Sequence, residues 1–389
     1  MIDATITFDF GGSGCRAIAQ VPGQPEQLYL LSPEMAQIER GRIEDTFAML
    51  HEFGEPNLTT SIWLEFAGSA YVLGDFAKQF AVSGLQLSKQ KFELGITKAL
   101  ALIAWIAQDN GLEKGASIAL GVVLPWREYK DRRAFEDQLC LQVQNYIFRG
   151  QSVGYQLDLF TCYPEGWGVL NNMMFSEGLN NAAVWMWGFR DTTVLWAANR
   201  QREGSTEPWG FRRFIERFQE RARLPICDAQ EVEIDELYLA RVLGSVTSLE
   251  PEQLRSHLSP LVSGLSVLYQ EDALTQLCEQ YERIYQLYFQ DAISVFERNT
   301  PQHIERIIPC GGTAWLYRSL LNEYLKQKPG VQQSWATQQE RAVMDTFGKK
   351  VVKAEGLQYR LDDPMGIFGL VRAQVKHRQP SAGGLKVAR

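Results

Sequence analysis

Histidine is scarce in this 389-residue chain, with four scattered copies, and the six cysteines (Cys15, Cys140, Cys162, Cys227, Cys278, Cys310) form no CxxC pair. Neither a zinc site nor a disulfide framework is expected, and the cysteine usage reads as that of a reduced, cytoplasmic protein. Long apolar runs are missing too. The longest, "ALALIAWIA" at 99–107, has nine residues, about half of what a membrane span needs. No transmembrane segment is expected, and the N-terminus enters a strand pattern without the features of a signal peptide. A long basic block is also absent: 39 Lys+Arg against 46 Asp+Glu leave a net charge of −7. Direct binding to a nucleic-acid backbone is therefore not expected. What is present is 45% hydrophobic residues, enough for two or three packed domains.

The chain opens on three strand patterns, "IDATITFDF", "CRAIAQV" and "EQLYLL", the last two separated by Pro22-Gly23. Further strand signals follow in "SIWLEFAG" and "AYVLGD". The spacing then predicts an amphipathic helix over 91–109, a buried strand in "ASIALGVVLP", a charged helix over 127–148, a strand in "GYQLDLFTCY" and a helix opening at Pro164. The order is βββαβαβα with an insertion after the third strand. A looser copy follows: "AAVWMWGF" and "DTTVLWAA" around a tight turn, a helix-rich stretch over 208–299, the strand "RIIPC" and the helix "TAWLYRSLLNEYL". In this copy the third and fifth strands are weak. Two similar mixed-sheet halves would leave a cleft between them, where ligands commonly bind.

Three stretches carry candidate chemistry. In "DFGGSGCR", Gly11, Gly12 and Gly14 allow a tight hairpin whose amides face an anion, with Asp9 placed for a hydrated Mg²⁺. The same letters fit a GxGxxA dinucleotide fingerprint, but that requires a helix directly afterwards, and strand and turn signals follow instead. A plain glycine-rich hairpin explains the stretch equally well. In "IIPCGGTAWL", Gly311 and Gly312 let a flat ligand approach backbone at a helix N-terminus, or simply form a strand-to-helix turn. In "CYPEGWG", Glu165 either supplies a favourable charge to a helix start or orients a water for attack on a phosphate.

Together these residues resemble the actin-like ATPases, and within them the ParM/StbA-type plasmid-segregation branch. The family's first phosphate loop matches Asp9, Gly11, Gly12, Ser13 and Arg16, its adenosine motif matches Ile307 through Ala314, and its Pro-Glu-Gly matches Pro164, Glu165 and Gly166. Weaker echoes are "YVLGDFA", "GVVLPWREYKD" and "DDPMGIFGLV", so the resemblance runs from about 5 to about 372. It implies an α/β fold of duplicated ribonuclease-H-like βββαβα halves around a nucleotide cleft. ATP/ADP and Mg are the implied cofactors. Glu165 becomes the catalytic residue, and Asp9 a second catalytic carboxylate that holds the metal through water. Gly11, Gly12, Ser13, Gly14, Arg16, Gly188 and Arg190 would meet phosphates, and Gly311, Gly312, Thr313 and Ala314 would flank the adenosine. One departure stands out. The family's second phosphate hairpin begins with Asp, and here that position falls on Met186, with Asp191 on the far side of the turn. Hydrolysis is therefore expected to be slow or reorganised around Asp9 and Glu165, and Arg190 and Asp191 either serve phosphate or are solvated turn residues.

The implied division is a first domain over 1–178, with an insertion at about 33–88, completed by a C-terminal helix at about 362–377. A second domain covers 179–361 with a helical insertion at about 205–268, and 378–389 form a flexible tail. The implied partners are other copies of the chain in a head-to-tail filament and a ParR-like DNA-binding adaptor. Two other readings stay open. A sugar or acetate-type kinase of the same superfamily would need an acceptor base that no compact Asp/Asn cluster supplies, and a polymerising scaffold with little turnover would fit Met186. A chaperone ATPase would need an appended substrate-binding domain, which is not evident.

Overall fold

The structure is a computed structural model that describes residues 1–52, 54, 57–80, 91–222, 236–246, 248–354 and 356–378. The expected tail therefore lies outside the described residues from 379 onward, as do parts of both expected insertions. Strands β1 (Ala4–Asp9), β2 (Cys15–Gln20), β3 (Gln27–Leu31), β4 (Met35–Gln37), β5 (Trp63–Phe66) and β6 (Ser69–Leu73) come first. They are followed by β7 (Ser117–Leu124), β8 (Tyr146–Phe148), β9 (Gln151–Val153) and β10 (Gln156–Pro164). The later strands are β11 (Ala182–Trp187), β12 (Thr192–Ala198), β13 (Gln201–Glu207), β14 (Arg306–Cys310) and β15 (Gln332–Gln333).

They build three five-stranded sheets, ordered β10-β7-β1-β2-β3, β13-β12-β11-β14-β15 and β4-β6-β5-β8-β9. Taken from its β15 edge, the second sheet repeats the order of the first. In each, three antiparallel strands in sequence are followed by parallel additions on the far side of the first strand. The duplication anticipated from sequence is thus a property of the topology. The third strand of the second copy is a full seven-residue pairing partner, β13, while the fifth is only two residues long.

Two helix expectations change. The charged helix expected over 127–148 is split into Trp126–Tyr129 and Arg132–Gln142, and the stretch after it becomes β8, whose Tyr146 and Phe148 are buried while the strand pairs with β5. Alternating burial over that short run outweighs helix propensity, and the third sheet takes strands from outside 33–88. The helix expected to open at Pro164 starts at Trp167 instead. Pro164 closes β10 opposite Leu124, the Glu165 amide still donates to the Leu124 carbonyl, and Gly166, at φ 87°, makes the turn.

Helices Trp167–Glu177 and Asp362–Arg378 lie between the first two sheets. Val169 and Leu170 from one, with Ile367 and Val371 from the other, share a core with Ala119 and Val123 of β7 and with Val184, Leu195 and Ile308 of the second sheet. Each Val, Leu or Ile side chain among them contributes about 1.5–3 kcal/mol by leaving water, so this shared layer fixes one sheet against the other. The helices cross where Gly168 and Gly366 meet: a Cβ on Gly366 would stand 2.5 Å from the Gly168 carbonyl oxygen. Among the described residues no helix is long and apolar enough to cross a membrane.

Candidate nucleotide cleft

Strands β1, β7 and β10 run parallel, in a register that sets Asp9 opposite Val123 and Pro164 opposite Leu124. Their carboxyl ends therefore present Asp9 and Glu165 along one edge. In the second sheet β11 and β14 are parallel with Met186 opposite Cys310, so the turns beginning at Gly188 and Gly311 also leave from one edge. The two edges face a single cavity of about 1030 Å³, in the position beyond strand carboxyl ends where open α/β sheets bind ligands. Its lining holds Asp9, Gly11, Gly12, Ser13, Gly14, Arg16, Glu165, Gly188, Arg190, Gly311, Gly312 and Thr313. Of the expected residues only Ala314 is placed elsewhere, packed into the core of the second sheet at 1% exposure.

The first hairpin closes with the Gly14 amide on the Gly11 carbonyl, and β2 follows directly, which leaves no room for the helix a dinucleotide fingerprint requires. Arg16 reaches back across it to Asp9 at 3.1 Å and to the Ser13 hydroxyl at 3.4 Å. A Cβ on Gly11 would stand 2.6 Å from the Gly14 carbonyl and 2.7 Å from the Arg16 guanidinium, so this turn is built for glycine.

Glu165 is buried and ion-paired with Lys91, the first residue of helix Lys91–Asp109. Burial lifts the Glu165 carboxyl above the usual range, the Lys91 ammonium opposes this, and Asp9 and Asp191 push in the direction of burial. For Lys91, burial favours the neutral amine, but Glu165 and Asp9 outweigh it and raise its proton affinity. The pair thus sits among opposing charges, with both members binding a proton more tightly than usual.

The second hairpin is not solvated. Arg190 donates to Glu128 at 2.7 Å and to Asp191 at 2.5 Å, and Glu128 and Asp191 are both buried. Glu128, just beyond β7, also accepts from the Phe92 amide at 2.9 Å, so it joins the helix of Lys91 to the hairpin of the other sheet. Met186 faces the cavity, and Asp191 lines it as well, near enough to Glu165 to raise it. The turn therefore returns a carboxylate to the cleft three residues after Gly188.

Gly311 has φ 91° and ψ 161°, and a Cβ there would stand 2.7 Å from the Trp187 carbonyl oxygen. Thr313 ties this loop to the hairpin through a 2.9 Å bond to the Gly188 carbonyl. Gly311→Ala forces a backbone region that is essentially restricted to glycine, at a cost of about 1–3 kcal/mol. A thermal melt should register it, and an unchanged melting temperature would show that the loop has slack. Beyond Thr313 the wall is aromatic: Trp315 stacks on Tyr359 at 4.6 Å, and the Arg318 guanidinium lies over Trp315 at 4.4 Å.

Comparison with known structures places this geometry. No protein-family model and no curated protein matches the chain by sequence. Among solved structures, a ParM filament from Clostridium botulinum superposes with a TM-score of 0.59 at 14% identity, covering 96% of this chain and 100% of that one. ParM from Bacillus thuringiensis with ATP gives 0.56 at 9% identity, covering 97% and 100%. An archaeal actin homologue in complex with ADP gives 0.52 at 14% identity, covering 92% and 98%. The fold is actin-like.

Several residues of this cleft were given no role from the sequence. Lys91 stands outside every motif, while Glu128, Asp362 and Asp363 lie inside the weak echoes "GVVLPWREYKD" and "DDPMGIFGLV", which assign none of them a function. Trp315 follows the glycine motif directly, but its partner Tyr359 is 44 residues away, and no local pattern links them. Asp362 lines the cleft and neighbouring Asp363 is fully buried, at the start of the C-terminal helix. Burial pushes Asp363 up to about 7 against the pull of the Gly166 and Val169 amides.

Proposed function

We propose that this chain is an ATP-binding, filament-forming protein of the bacterial actin kind, with slow ATP hydrolysis coupled to filament turnover. The observation that carries the reading is the convergence on one cavity of two glycine turns from opposite sheets with Asp9, Glu165 and Lys91. Their chemistry fits a nucleoside triphosphate. With the Gly14 and Gly188 amides closing the two turns, backbone amides at the hairpin tips receive phosphate oxygens, Arg16, Lys91 and Arg190 balance their charge, and Gly311, Gly312 and Thr313 bring backbone to the adenosine beside the Trp315 ring. Glu165, in reach of Lys91, orients the attacking water and takes up its proton.

Among the described residues no group of three or more His, Cys, Asp or Glu could hold a metal alone. Mg²⁺ does not need one: it keeps several waters and binds through one or two carboxylates plus substrate phosphates, a role Asp9 fits. When bound, it would neutralise charge on the phosphates. Bridging of both sheets by one triphosphate gives the closed cleft its nucleotide dependence, and closure in turn changes the faces that meet the next subunit. Neighbours of the same fold are filaments, including the ParM filament from Clostridium botulinum, which supports head-to-tail self-assembly here. With a net charge of −7, DNA cargo would be reached through a ParR-like adaptor and not by direct contact.

The decisive experiment mixes purified protein with ATP, ADP or a non-hydrolysable analogue and follows light scattering, pelleting and phosphate release together. Nucleotide-dependent pelleting is expected, and its absence across salt and protein concentration would sink the proposal. A polymerising scaffold is the second reading, favoured by Met186 on the cleft wall. It predicts pelleting with negligible phosphate release.

A further inference from the structure

The loop that presents Glu165 is held from the far end of the chain. Asp363, fully buried at the start of helix Asp362–Arg378, accepts the Gly166 amide at 2.9 Å on Oδ2, and the Gly168 and Val169 amides at 2.7 and 3.3 Å on Oδ1. Gly168 and Val169 belong to the first turn of helix Trp167–Glu177, where amides have no partner within their own helix. Such amides are ordinarily capped by a side chain at the turn itself. Here that position is Gly166, which has none to offer, and the cap comes from a residue 197 positions on. The close crossing at Gly168 and Gly366 lets the carboxylate reach in.

Glu165 is consequently fixed on three sides. Its own amide donates to Leu124 at 2.8 Å, its side chain pairs with Lys91, and the next amide is taken by Asp363. The first two restraints come from the sheet and from helix Lys91–Asp109. Only the third ties the loop to the helix that also carries Asp362 on the cleft wall.

We propose that Asp363 is a positioning residue: by holding the amides of Gly166, Gly168 and Val169, it sets where the Glu165 carboxyl stands in the cleft. This rests on the hydrolytic reading of Glu165 given above. Its consequence is that Asp363, itself off the cleft wall, gives the C-terminal helix a part in the hydrolytic machinery, and a displacement of that helix moves Glu165.

The test uses the full chain as wild type, Asp363→Ala and Asp363→Asn, each with Mg-ATP and each checked by thermal melt. For Asp363→Ala, kcat for phosphate release should fall about 10- to 100-fold with KM within about twofold, because a small misplacement of a reacting group affects rate more than binding. Asp363→Asn keeps one acceptor oxygen and should recover part of the loss. Hydrogen exchange at Gly166, Gly168 and Val169 should quicken about 10-fold in Asp363→Ala, as expected for a lost cap, while the β1–β2 hairpin amides keep their wild-type rates. Wild-type kcat, kcat and KM changing together, or exchange raised throughout the chain would overturn the proposal. If Asp363→Ala does not fold, Asp363→Asn decides by the same pattern at smaller amplitude. If wild-type protein releases no phosphate, the hydrolytic reading fails. The exchange data then judge Asp363 alone: quickening confined to those three amides keeps it as the residue that places the loop, and wild-type exchange removes it.

Discussion

Glu165→Ala should leave nucleotide-dependent pelleting intact while phosphate release falls by about 10²- to 10⁴-fold, the range for a positioned general base. Filaments should then persist after wild-type filaments have disassembled, because the triphosphate state is not consumed. The variant also leaves the buried Lys91 ammonium without its partner, so Glu165→Gln is the gentler companion, with the shape kept and the charge removed. Unchanged phosphate release in both would remove the catalytic assignment. Acid should mimic the variant. Burial holds the Glu165 proton more tightly than the ordinary value of 4.5, so hydrolysis should begin to fail, as pH drops, above the range where an exposed glutamate titrates. The linked stability has the opposite sign. The folded chain binds this proton more tightly than the unfolded chain, so the contribution of Glu165 to stability decreases as pH rises from the ordinary range through the raised one.

Asp9→Asn should reduce Mg-ATP hydrolysis by at least about 10²- to 10³-fold, comparable to losing one preorganised electrostatic group at a transition state. Two features concentrate the effect on this residue. Met186 occupies the position where the second hairpin was expected to carry an acid, and Asp191, the carboxylate that hairpin does contribute, is engaged by Arg190 at 2.5 Å. Asp9 also anchors Arg16, with the two side chains only 12% and 9% exposed. Breaking a buried pair costs about 3–5 kcal/mol, which makes asparagine the informative substitution and alanine the disruptive one. Calorimetric titration with ATP, with and without Mg²⁺, separates the roles. If Asp9 acts through the metal, Asp9→Asn should abolish the Mg²⁺ dependence of binding while a metal-free component remains. Retained Mg²⁺ dependence would transfer that role to another carboxylate of the cleft wall, such as Asp191.

Local pattern carried far where neighbouring residues do the work. The hairpin of Gly11, Gly12 and Gly14 and the turn at Gly311 were legible because tight turns and close backbone approach demand glycine, whatever the rest of the fold. The helix over 91–109 was legible from its periodicity, and its end at Asp109 falls where the pattern ends. Pro164 was misplaced because proline suits a first helical turn and a strand end equally, and only the β7–β10 register decides between them. For Arg190 and Asp191 the sequence left phosphate contact and solvation both open, for a similar reason. A charged pair in a turn is normally exposed, and what buries this one is Glu128, which arrives from the other sheet.

Side-chain type and short spacing were enough for the succession of strands in the first sheet, the glycine turns and the two acids beside strand ends, but not for β13 and β15 of the second sheet. Only packing brings the distant groups together: Lys91 with Glu165, Glu128 with Arg190, Trp315 with Tyr359, and Asp363 with the loop of Glu165. These contacts join residues between 44 and 197 positions apart. Their partners are chosen by how two sheets and the helices between them pack, and packing geometry leaves no periodic trace in the local sequence.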